Sequence, residues 1–269
     1  MSDRAIGVFD SGMGGLTVMR ALMARLPNEN FVYLGDTARL PYGTKSRETV
    51  ERYAVQASRA LMARNVKMVV VACNTASLSL PALQDALAPL PVIGVIEPGA
   101  DAAMKAAPSG PIAVIATEGT VRNGAYERAI HARAPDVDIF QRACPLFVPI
   151  TEEGWTDGPI VNAIAERYLK PLLERARPKC LLLGCTHYPV LADAIAHVAG
   201  KDVTLVDSAE TTADAVATLL NEKGLARNGG AKPSHVFMAT DAPERFARVG
   251  EIFLGRPIDA GEIELINLQ

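Results

Sequence analysis

The sequence predicts an α/β protein of two similar parallel-sheet domains, related by a pseudo-two-fold axis, with a ligand cleft between them. Three observations lead there. Short β-branched runs alternate with longer helical patterns, the order expected of parallel sheets covered by helices. The chain also echoes itself: AIGVFDSGMGG (5–15) resembles PIAVIATEGT (111–120), and VVVACNTAS (69–77) resembles LLLGCTHYP (181–189). The echoed parts recur in the same order at similar spacing, as a duplicated α/β unit requires. Finally, 269 residues suffice for two modest domains with ample core.

In chain order the strands read as Ala5–Phe9, Phe31–Leu34, Met68–Ala72, Val92–Ile96, Ile112–Ala116, Val137–Gln141, Cys180–Gly184 and Val203–Val206. Two weaker runs follow, His235–Ala239 and Ile263–Leu268. Helical patterns fill most of the gaps, for example Ser46–Asn65 and Pro159–Arg175. In open parallel sheets ligands bind at the carboxyl ends of the strands, so the residues that follow these runs are the candidates for chemistry.

A net charge of −3 and the lack of any long Lys/Arg run exclude the usual signatures of nucleic-acid and anionic-membrane binding. The start, MSDRAIGVFD, has no signal-peptide core, and no apolar stretch is long enough to span a bilayer. Four cysteines in a chain of this size do not make a disulfide framework. The expectation is a cytoplasmic protein with reduced thiols.

Two of those thiols stand out. Cys73 ends one strand, with Asn74, Thr75 and Ser77 following as a helix entry. Cys185 ends the equivalent strand of the second unit, with Thr186, His187 and Pro189 opening another. A strand-end cysteine can simply be a small hydrophobe. Two in equivalent places of facing units point instead to a paired function. Free N–H groups at a helix entry lower a thiol's pKa from about 8.5 and can also hold a carboxylate. Cys144 and Cys180 lack this context and read as structural. Facing thiols suit a reaction that removes a proton from one face of a carbon and returns one to the other, each thiol alternating between base and acid.

Other motifs are less specific. The turn VFDSGMGGLTV (8–18) has Thr17 where the last small residue of a dinucleotide loop belongs, although Asp36 could stand as a ribose-binding acid. Asp10, just before the turn, would repel phosphate but could orient a thiol or an ammonium group; the glycines also fit a tight turn needed for backbone reasons. LGDTARLPYG (34–43) contains a turn at Pro41-Tyr42-Gly43. His187, two residues from Cys185, is placed to tune or protonate beside it. Cys185 and His187 could be half of a zinc site, but no second metal-spaced pair is present. Spacing alone would not nominate Glu152.

The set FDSGMGGLTV, YLGDTARLPYG, VVACNTAS, VIEPG and LLLGCTHYP resembles the glutamate racemases of the cofactor-independent Asp/Glu racemase superfamily, and the likeness runs on through DAPERFARVGEIFLG (241–255). The resemblance implies interconversion of L- and D-glutamate without cofactor or metal, supplying D-glutamate for peptidoglycan synthesis. Aspartate or a related amino acid is the alternative substrate. It implies a discontinuous first domain (1–97 plus 209–269) and a second domain (98–208). It places the catalytic thiols at Cys73 and Cys185, with Asp10 assisting the first and Glu152 and His187 the second; Glu153 competes with Glu152 for that match. Substrate-binding positions fall on Asp10, Ser11, Tyr42, Gly43, Asn74, Thr75, Thr186 and His187, and Thr117 joins them as the counterpart of Ser11. A homodimer is expected, and no partner other than the small-molecule substrate. A nucleotide-dependent oxidoreductase and a non-enzymatic amino-acid-binding module are the readings from other classes.

Overall fold

The computed structural model describes residues 3–268. Among these residues ten strands form: β1 Ile6–Asp10, β2 Phe31–Gly35, β3 Met68–Val71, β4 Val92–Gly94, β5 Ile112–Ala116, β6 Ile139–Ala143, β7 Cys180–Gly184, β8 Thr204–Asp207, β9 His235–Ala239 and β10 Ile263–Leu265. Twelve α-helices lie among them: α1 Leu16–Arg25, α2 Arg47–Ala63, α3 Asn74–Ser77, α4 Leu80–Leu87, α5 Ile96–Ala106, α6 Glu118–Asn123, α7 Ala125–His131, α8 Phe147–Glu152, α9 Pro159–Ala176, α10 Ala192–Ala199, α11 Ser208–Glu222 and α12 Pro243–Leu254.

The strands make two wholly parallel sheets, ordered β10-β9-β2-β1-β3-β4 and β6-β5-β7-β8. The duplication expected from the sequence is visible in the register. In the first sheet Ile6 pairs with Phe31 on one side and Met68 on the other. In the second, Ile112 pairs with Ile139 and Cys180. Both sheets place their first strand between their second and third, so each has a topological switch point between the first and third. Cys73 follows β3 and Cys185 follows β7, so each thiol stands at the switch point of its own sheet. The chain builds the first sheet, then the second, and returns through β9 and β10 to finish the first.

The strands read as continuous apolar runs because both of their faces are covered. Along β3, Met68 and Val70 face the side packed by α1, α11 and α12, while Val69, Val71 and then Cys73 face α2 and α4. Along β7, Leu181, Leu183 and then Cys185 face α9 and α10, while Cys180 and Leu182 face α5 and α7. Each fully buried aliphatic side chain contributes roughly 1.5–3 kcal/mol. Rigid strands in such a core hold the thiols far more firmly than a loop would.

Most strand boundaries shift by a residue or so, the last strand stops at Leu265 rather than Leu268, and two other differences have a local cause. The run Val92–Ile96 reads as strand, yet Ile96 begins α5 and β4 stops at Gly94. Pro98 is tolerated in the first helical turn, so the β-branched Val95 and Ile96 did not prevent the switch. The strand expected at Val137–Gln141 sits two positions later, at Ile139–Ala143, where pairing with β5 fixes it.

Candidate active site

One pocket between the two sheets is lined by Ser11, Tyr42, Gly43, Cys73, Asn74, Thr75, Thr117, Glu152, Cys185, Thr186 and His187, with Gly12, Leu40, Pro41 and Val148. Every site residue nominated from the sequence therefore reaches it except Asp10, which is fully buried and does not itself form part of the lining.

Cys73 caps α3, and its Sγ accepts the Ala76 N–H at 3.4 Å and donates to Ser11 Oγ at 3.4 Å. The helix-entry amide is therefore in place, but the expected lowering of the thiol's pKa does not follow. Burial pushes the Cys73 thiol up to about 12, and the Asp10 carboxylate adds to the rise. Desolvation of a thiolate and a like charge outweigh the N–H donors and the Ser11 hydroxyl. Asp10 is itself raised, chiefly by burial, against the opposing pull of His187 and of the N–H groups of Gly15, Gly12 and Ser11. Its Oδ2 accepts the Gly12 N–H at 2.9 Å, and Oδ1 has no hydrogen-bond partner.

The second thiol has a different escort. His187 Nδ1 lies 3.9 Å from Cys185 Sγ, and Nε2 lies 3.1 Å from Glu152 Oε1. The other Glu152 oxygen accepts from Arg245 at 2.9 Å. Of the adjacent acids it is Glu152 that makes these contacts. Burial alone would lower the His187 pKa; the Cys185 and Glu152 partners reverse that and raise it to about 10. Glu152 is lowered, its burial overcome by His187 and Arg245. The ionised Glu152 carboxylate can only accept, so Nε2 is the donor to it, and the raised pKa favours a doubly protonated ring. Phe253 packs edge-on against it, with centroids 5.0 Å apart. Arg245 and Phe253, both on α12, were not nominated from sequence.

The glycine-rich turn has a reason other than the one anticipated. Gly12, Gly14 and Gly15 do not adopt positive φ. A Cβ on Gly14 would lie 2.4 Å from His187 Nδ1 and 2.5 Å from Thr186 Oγ1, and one on Gly15 would lie 2.4 Å from Asp10 Cβ. Gly14 lets the two halves approach, while Gly15 makes room for Asp10 within the first half; other contacts also join the halves. Thr17 Oγ1 donates to the Thr186 carbonyl at 3.2 Å. Gly119 N donates to the Gly43 carbonyl at 2.8 Å. Thr75, Thr117 and Thr120 hydroxyls form a closed triangle with sides of 3.0–3.3 Å.

Asp36 is not placed to read a ribose. Its Oδ2 accepts from Tyr42 at 2.5 Å and from Arg39 at 2.7 Å, and its Oδ1 accepts from Thr240 at 3.0 Å. It anchors the Tyr42-Gly43 turn against the pocket, and the Tyr42 hydroxyl is committed to it. Asn74 is similarly held from behind: its Oδ1 accepts from Tyr126 at 2.5 Å, while Nδ2 has no protein partner. Cys144 and Cys180 are buried away from the pocket as unpaired thiols, both with pKa values raised by burial.

Residues 6–216 match the family described as Asp/Glu/Hydantoin racemase. The chain belongs to that family. As one of these racemases it is an isomerase. It is 49% identical to a glutamate racemase of Geobacter metallireducens over 99% of this chain and 97% of the relative. Among solved structures, glutamate racemase from Francisella tularensis in complex with D-glutamate has a TM-score of 0.93 at 38% identity, covering 100% of this chain and 99% of that one. Glutamate racemase isoform RacE1 from Bacillus anthracis has a TM-score of 0.94 at 39% identity, with the same coverage. No helix among the described residues is long and apolar enough to cross a membrane.

Proposed function

We propose that the protein interconverts L- and D-glutamate, without cofactor or metal, by proton transfer between Cys73 and Cys185 across the α-carbon. The observation that carries this reading is the pair of thiols at equivalent register positions of two sheets, lining one pocket. The surroundings of the two thiols are unequal, as suits a reaction in which one acts as acid while the other acts as base. Cys73 holds its proton, with its pKa raised to about 12, and a protonated His187 stands beside Cys185. In one direction Cys185 takes the α-proton while Cys73 delivers its own to the opposite face. The enzyme is left with the thiolate on Cys73 and the thiol on Cys185, the form that catalyses the reverse reaction. Near a Cys73 thiolate, the substrate ammonium offsets the repulsion from Asp10. Ser11, Asn74, Thr75, Thr117 and Thr186 supply the hydrogen-bonding groups for the substrate.

The high identity to glutamate racemases over nearly the whole chain supports glutamate over aspartate as the substrate. On this reading D-glutamate is made in the cytoplasm for peptidoglycan synthesis, by a protein that pairs as a homodimer. The domains divide into 1–97 plus 209–269 and 98–208, with one boundary in the first turn of α5 and the other at the start of α11.

Purified protein given L-glutamate alone should drive its circular-dichroism signal to zero, at a rate unchanged by exhaustive chelation. L-aspartate in the same assay should respond far more slowly. Faster loss of the aspartate signal would reassign the substrate, and activity that needed an added metal or pyridoxal phosphate would remove the mechanism.

A further inference from the structure

The ring of Tyr126 is fully buried between two glycines. A Cβ on Gly184 would lie 2.9 Å from its Cε2, and a Cβ on Gly99 would lie 3.1 Å from its Cε1. Gly184 immediately precedes Cys185. The Tyr126 hydroxyl ends on the amide of Asn74, which immediately follows Cys73. One side chain therefore spans from the strand end that carries one thiol to the turn that carries the other, and the two glycines make room for it. The chain does not depend on Tyr126 for its α7 helix, since many residue types would serve at the second position of that helix. What distinguishes the tyrosine is the hydroxyl that reaches Asn74.

We propose that Tyr126 is a positioning residue for the two-thiol site, holding the Asn74 amide so that its Nδ2 donor faces a carboxylate oxygen of the bound amino acid. This rests on the reading of Cys73 and Cys185 as the proton-transfer pair. Burial pushes the Tyr126 phenol above its ordinary pKa, so it stays protonated and donates to Asn74 Oδ1. The amide's other end is then necessarily the donor end, and it has no protein partner. Removal of the α-proton pushes negative charge onto the substrate carboxylate, and a donor already aimed there stabilises the transition state more than the ground state. Without the Tyr126 hydroxyl the Asn74 amide is free to rotate, and its oxygen can turn toward that charge.

The test is Tyr126→Phe, which keeps the ring between the glycines and removes only the hydroxyl. We expect kcat to fall by about tenfold or more in both directions, less than the roughly 10²–10³-fold cost of deleting an oxyanion donor because the Asn74 donor is released rather than removed, with KM changed by less than about threefold. Asn74→Ala should give a similar or larger loss, and adding Tyr126→Phe to it should cost nothing further, because both substitutions remove one interaction. A full additional tenfold loss in the double variant, or a wild-type kcat in Tyr126→Phe, would overturn the proposal. If Tyr126→Phe does not fold, Gly99→Ala crowds the ring from outside the pocket. It should lower kcat in the Asn74 background and leave kcat unchanged in Asn74→Ala; equal losses in both would overturn the proposal. The wild-type enzyme, followed in heavy water alongside, separates the two claims. Loss of its face-specific labelling would refute the two-thiol reading, whereas intact labelling with a fully active Tyr126→Phe would refute only the role of Tyr126.

Discussion

Cys73→Ala and Cys185→Ala are each expected to lower the racemisation rate by about 10²–10⁴-fold or more, the range that general acid–base groups contribute. Each thiol is the group that serves one face of the α-carbon. Losing either leaves a proton that cannot be removed or one that cannot be delivered, in both reaction directions. The fold should survive, because each substitution removes one buried heavy atom at a strand end, at a cost of about 1 kcal/mol. Cys144→Ala and Cys180→Ala remove similar atoms from the core of the second half without touching the pocket. They should keep most activity. Initial rates with both glutamate enantiomers, together with thermal melts, separate the four variants. A wild-type rate in either Cys73→Ala or Cys185→Ala would contradict the assignment.

The sequence made these two residues legible because strand ends in parallel sheets are readable from pattern alone. VVVACNTAS and LLLGCTHYP each announce an apolar strand followed by a helix entry. The weaker strands β9 and β10 were also readable, although the pairing of β9 with β2 and of β10 with β9 was not, since nothing local specifies which strand a returning segment joins. Val95 and Ile96 misled because β-branching marks a strand more strongly than a helix start. What stayed hidden depends on approach in three dimensions. Arg245 and Phe253 look like ordinary residues of an amphipathic helix, and their contact with Glu152 and His187 comes only from how α12 docks. Gly14 looked like a residue chosen for its φ, yet it is small because His187 and Thr186 press against it. Sequence also shows the amide donors around Cys73 and a nearby carboxylate at Asp10, but not how deeply both are buried, so it gave the wrong sign for the thiol's pKa.

His187→Asn should change pH behaviour on both rate and stability. In the wild type, Cys185 and Glu152 raise the His187 pKa to about 10, so the alkaline limb of kcat/KM is expected to include the loss of its charge beside Cys185. The variant should lose that contribution and show a shifted alkaline limb with a lower plateau, the apparent pKa values belonging to the coupled site. The stability argument has a definite sign. The folded state raises the His187 pKa from 6.5 to about 10, so between those values it binds more protons than the unfolded chain, and stability falls as pH rises. The contribution is full below about pH 6.5 and is lost as pH rises through about 10. The Tm advantage of wild type over His187→Asn should therefore be largest near pH 6 and shrink toward pH 10. An advantage that grew with pH would mean that His187 is held neutral in the folded protein.

The two-thiol account is tested most directly by running the reaction in heavy water and following the α-carbon by mass spectrometry and enantiomer-resolved chromatography. Starting from L-glutamate, the D-glutamate formed in the first turnovers should carry one deuterium at the α-carbon, while the remaining L-glutamate stays largely unlabelled. Starting from D-glutamate, the pattern should be mirrored. The proton taken by one thiol and the deuteron given by the other are different atoms, so only the product acquires label early. Equal early labelling of substrate and product would show one base serving both faces, and Cys185 could not then be the partner of Cys73.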